Sequence, residues 1–99
     1  MNLSDLLAGV LRLGLATEDE AAAFADSAPT IRHNGARILY THEGAAWIRQ
    51  RMDALPADAQ SAALRKAYAL ARDGAGLHPI FYQTLVPYRA RLLAPEVTP

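Results

Sequence analysis

The sequence contains no cysteine. Disulfides, thiol nucleophiles and zinc–cysteine sites are therefore excluded together, and the chain suits a reducing compartment. An excess of charge of either sign is also missing. Ten Lys and Arg residues balance ten Asp and Glu residues over 99 positions, for a formal net charge of zero. Such a chain lacks the overall phosphate attraction on which non-specific nucleic-acid coats depend. No apolar run approaches the roughly 18 residues needed to span a bilayer. The N-terminus opens without a basic stretch, and Arg12 interrupts its first apolar segment, so a secretory signal is not expected. The length fits one domain and is too short for a multidomain enzyme. Together these features predict a soluble cytoplasmic protein with no membrane partner.

Alanine is abundant, with 21 residues, and Leu, Ile, Val and Phe together supply 23. This is too apolar for a disordered chain and favours closely packed helices. Leu3, Leu6, Leu7, Val10, Leu11 and Leu13 form a stripe at three- and four-residue spacing, predicting a helix from about Leu3 to Leu13 with Asn2 or Ser4 as its cap. Gly14 stands where a left-handed C-cap belongs. A second helix opens at Thr17. Thr17 and Glu20 have capping-box spacing, and Glu18, Asp19 and Glu20 set negative charge at the positive end of the helix dipole. It stops before Pro29.

Residues 30–41 then change character. Thr30 to His33, Asn34-Gly35, and Ala36 to Thr41 read as a β-hairpin closed by a type I′ turn. The register pairs His33 with Ala36, Arg32 with Arg37 and Ile31 with Ile38. One face carries Ile31, Ile38 and Tyr40; the other carries Arg32, Arg37 and Leu39. A lone hairpin is marginal in water, so the isoleucine face is expected to lie on helices.

Three more helical segments follow. Thr41 is expected to cap a helix over about His42 to Leu55, burying Ala45, Ile48, Met52 and Leu55, with Trp47 in the core rather than on the surface. Pro56 starts a helix over Ala57 to Arg72. Asp73 to Gly76 is a stop. Pro79 begins a last segment containing Ile80, Phe81, Leu85, Tyr88 and Leu92, which Pro87 kinks or splits. The fold class is mainly α (α+β), about five helices with one inserted hairpin in the order α-α-β-β-α-α-α. Residues 1–93 form a single domain and residues 94–99 an extended tail.

Catalytic patterns fail on inspection. His42-Glu43 begins like a metalloprotease motif, but Ala46 occupies the second ligand position. His33, His42 and His78 do not combine into a metal site, and a lone histidine is more simply a cap or a surface residue. Gly74-Ala75-Gly76 lacks the spacing of a phosphate loop. Ser4, Ser27 and Ser61 are in no nucleophile-elbow context. Glu18, Asp19, Glu20 and Asp26 lack the alternating ligands of a calcium loop. No catalytic residue, metal or cofactor is assigned, and an enzyme is not expected.

The surviving signals are electrostatic. Residues 1–28 carry a net charge of −4, residues 29–93 carry +5, and Glu96 supplies the remaining −1. Nine of the ten basic residues are arginine. Arg32 and Arg37 face each other across the hairpin, where like charges are destabilising unless an anion meets them. Arg49 and Arg51 follow Trp47 on one helix. Tyr82, Tyr88, Arg89 and Arg91 combine residue types enriched at interface hot spots. The candidate partner-binding residues are thus Arg32, His33, Arg37, Arg49, Arg51, Tyr82, Tyr88, Arg89 and Arg91.

The expected function is a small non-enzymatic protein-binding module. It would act as a regulator, inhibitor or accessory subunit docking on the acidic surface of a larger protein or nucleoprotein complex. A bacterial phage or mobile-element inhibitor of the anti-CRISPR kind would be one instance. The alternative is a winged-helix-like nucleic-acid binder with Arg32, His33, Asn34 and Arg37 at the tip of a basic wing. Against that stand the acidic start of the second helix and the absence of a third helix before the wing.

Overall fold

The structure, a computed structural model, describes residues 1–74 and 76–90. Among the described residues, five α-helices and one antiparallel hairpin follow the order α-α-β-β-α-α-α, as the sequence pattern predicts. They are α1 (Leu3–Arg12), α2 (Glu18–Ser27), β1 (Ile31–His33), β2 (Ala36–Ile38), α3 (Thr41–Ala54), α4 (Ala57–Arg72) and α5 (Pro79–Leu85). A 3₁₀ turn over Val86–Tyr88 follows α5, so Pro87 ends the α-helical geometry there. Arg91 and the expected tail at residues 94–99 lie outside the described residues.

The local signals act as their chemistry requires. Asn2 Oδ1 accepts from the Ser4 amide at 3.0 Å and caps α1. Gly14 adopts φ +71°, turning the chain so that Leu15 enters the core fully buried. At α2 the capping box is complete: the Glu20 amide donates to Thr17 Oγ1, and the Thr17 amide donates to Glu20 Oε1. α3 differs from expectation. It starts one residue earlier, so Thr41 lies in the first turn and the cap is Tyr40, whose side chain makes no capping bond.

The core gathers one face of every helix. Leu6, Val10, Leu15, Ile48, Met52, Leu64, Phe81 and Leu85 are its most deeply buried members. Trp47 is buried, its ring stacked on Phe24 of α2 with centroids 3.9 Å apart and planes 7° from parallel. On the first helix, Leu7 is only half-buried and Leu11 faces solvent. The α3–α4 corner is set by a buried polar group. Gln60 Nε2 donates to the Met52 carbonyl at 2.7 Å, joining the Leu55 amide as a second donor to that acceptor in the last turn of α3.

The hairpin has the expected register, with Ile31 opposite Ile38, Arg32 opposite Arg37 and His33 opposite Ala36. Asn34 and Gly35 have φ of +50° and +79°, the pair of positive values that a type I′ turn requires. Its orientation is the reverse of the expectation. The isoleucine face points to solvent, with Ile31 69% and Tyr40 72% exposed, and the opposite face sends Leu39 into the core at 2%. Three attachments explain this. Met1 and Leu39 exchange backbone bonds, the Met1 ammonium donating to the Leu39 carbonyl at 2.7 Å and the Leu39 amide to the Met1 carbonyl at 3.0 Å. Asn2 bridges Ile38 in the same antiparallel sense. On the inward face, Arg37 reaches α2.

Candidate functional site

Each candidate residue has a distinct place. Arg37 Nε donates to Thr30 Oγ1 at 3.0 Å and its Nη2 to the Ala25 carbonyl at 2.7 Å. That carbonyl belongs to the last turn of α2, where unpaired acceptors and the negative end of the helix dipole favour a cation. Arg37 thus clips the hairpin to α2. Its cross-strand neighbour Arg32 is exposed and has no hydrogen-bond or ion-pair partner among the described residues. The two arginines that look equivalent in the sequence therefore have different surroundings: one guanidinium is held inside the fold and the other faces solvent. His33 is exposed at the tip, its Nε2 3.4 Å from Asn34 Nδ2.

Arg49 and Arg51 diverge for a simple geometric reason, since residues two apart on a helix point away from each other. Arg49 faces solvent. Arg51 turns inward: Nε donates to the Leu15 carbonyl at 3.0 Å, and Nη2 pairs with Glu20 Oε2 at 2.7 Å. The Glu20 carboxyl lies below its ordinary 4.5, first because of the Thr17 amide bond and further through Arg51.

Toward the C-terminal end, Tyr88 is 8% exposed, and its hydroxyl donates to Asp53 Oδ1 at 2.6 Å, with the Arg49 carbonyl 3.5 Å away. The side chain anchors the 3₁₀ turn to α3, while Arg49 and Arg89 are both exposed. Tyr82 is half-buried, and its buried hydroxyl has no partner among the described residues. His78 caps α5, its Nδ1 accepting from the Ile80 amide at 3.1 Å. Among the described residues, no three His, Asp or Glu side chains converge as metal ligands.

A surface that sequence reasoning assigned to the core now stands out. Pro29, Ile31, Ile38 and Tyr40 line the outer face of the hairpin around a shallow cavity of 180 Å³ floored by Met1 and Leu39. Tyr40 stacks on His42, with ring centroids 5.6 Å apart, and His42 Nε2 lies 3.4 Å from Glu43 Oε1. Large apolar side chains this exposed and this close together mark interaction surfaces. Arg32, next to Ile31 along β1 and on the other face of the ribbon with Arg37, is exposed as well. The signal that could have found the apolar surface is Leu39: a two-stranded ribbon with apolar residues on both faces buries only one of them.

Compared with protein-family models, with curated proteins and with solved structures, the chain matches none.

Proposed function

We propose that this chain is a non-enzymatic protein-binding module, a small regulator, inhibitor or accessory subunit that docks through its hairpin on a larger protein or nucleoprotein complex. One observation carries the reading: the hairpin turns Ile31 and Tyr40 to solvent, with Ile38 half-buried between them, while its other face is fastened to the body by Arg37 and Leu39. A ribbon held this firmly presents its apolar face in a fixed shape, and pre-organisation lowers the ordering cost of binding. The exposed Arg32 on β1 favours an acidic partner surface.

The winged-helix-like reading is weaker. Its basic wing needs Arg37, which is bonded to Ala25 and Thr30, and the exposed Glu18 and Asp19 at the start of α2 repel phosphate.

Affinity capture on the immobilised full chain, run beside the folded I31E variant, tests the proposal. A protein retained by the parent chain and lost with I31E is expected. The same proteins on both supports, or retention of short duplex DNA at ~50 mM salt in their place, would overturn it.

A further inference from the structure

The two edges of the hairpin are treated differently. Along β2 the outer edge is closed by the chain itself, through Met1 and Asn2. Along the outer edge of β1 no further strand is paired among the described residues. In a hairpin closed by a two-residue turn, His33 with Ala36 and Ile31 with Ile38 are the pairs that exchange hydrogen bonds. The amide and carbonyl of Arg32 consequently point away from β2, toward the open side.

We propose, resting on the protein-binding reading above, that β1 is a strand-addition site. Its occupant is an extended segment of a partner protein with an acidic residue opposite Arg32 and apolar residues on either side of that acid. The alternation follows from strand geometry: the residue directly across from Arg32 shares its face, and the flanking residues fall on the face of Ile31 and Ile38. A β1 strand of three residues supplies few main-chain bonds, so the 180 Å³ cavity beside Ile31 provides the second anchor. Charge selects the occupant. Arg32 is exposed and unpartnered among the described residues, and an opposing carboxylate would also relieve its repulsion by Arg37.

A second copy of the chain fits poorly. A two-fold axis at Arg32 sets the two Arg32 side chains directly opposite each other, and one at Ile31 sets them diagonally on the same face.

The test is panning of the immobilised full chain against a displayed library of random linear peptides, in parallel with the R32E variant, each checked for folding by circular dichroism. Enriched sequences should alternate apolar residues about a central Asp or Glu, and R32E should replace that acid by Lys or Arg. Three results would overturn the proposal: no enrichment over the bare support, enrichment indifferent to R32E, or apolar positions spaced by three and four as in a helix. Sedimentation of the unliganded chain as a dimer that I31E dissociates would also overturn it, in favour of self-pairing. Failure of panning together with I31E-sensitive capture of a folded protein refutes strand addition alone. Capture indifferent to I31E refutes the docking reading as well.

Discussion

The carboxylate of Glu20 serves two partners at once: Oε1 accepts the Thr17 amide at 2.9 Å while Oε2 meets Arg51 Nη2 at 2.7 Å. The cap that starts α2 is therefore also the point at which α2 is fastened to α3. Arg51 adds a third attachment at the Leu15 carbonyl, so one guanidinium holds the whole α1–α2 connection.

Replacing Arg51 by Ala should lower stability by about 1.5 kcal/mol through the lost bond to the Leu15 carbonyl, before any contribution from the ion pair. R51K keeps the charge without the fork and should fall between the two. Urea denaturation followed by Trp47 fluorescence measures both. An unchanged midpoint in R51A would show that the clamp contributes nothing.

Acid should weaken the fold in a defined window. The folded-state pKa of Glu20 lies below its ordinary 4.5, so its contribution is fully present above that value and is lost as pH falls through the lower folded value. E20Q removes that part of the slope. The comparison is the denaturation midpoint of parent and variant at successive pH values below 5, where parallel curves would contradict the assignment.

The two hairpin arginines should separate in experiment. R37A removes the clip to Ala25 and Thr30 and should cost about 1–2 kcal/mol. R32A should leave stability within about 0.5 kcal/mol of the parent. Thermal melts of the two variants suffice, and equal losses would mean that the cross-strand pair acts as a unit.

Gly9 faces the ring of Phe81, and a Cβ placed there overlaps that fully buried side chain. G9A should therefore destabilise by about 1–3 kcal/mol through overpacking, although alanine is the better helix former. A gain in the urea midpoint would show that α5 can move away freely.

The order of elements was legible because its signals are local. The Thr17–Glu20 box, the Asn34-Gly35 turn and Pro56 each act within a few residues of where they stand. Even Ala57–Arg72 emerges with its expected ends. Which way the hairpin faces was not legible. Period-two alternation sorts Ile31 and Ile38 from Arg37 and Leu39, but the choice between the faces depends on Met1, Asn2 and Ala25, the nearest of them eleven residues from β2. Arg51 was hidden for the same reason. Its partners at Leu15 and Glu20 are 36 and 31 residues away in sequence, and nothing near position 51 marks it as inward-facing.

The outward isoleucine face also bears on how the protein behaves in a tube. With an isoelectric point of about 6.8, molecules at neutral pH carry almost no mutual repulsion to keep their hairpins apart. An open β1 edge beside exposed Ile31 is then a seed for irregular association, with Arg32 as its gatekeeper. Light scattering of the concentrated chain should be greatest near that pH and fall on either side of it. A bound partner strand should suppress it by occupying the edge.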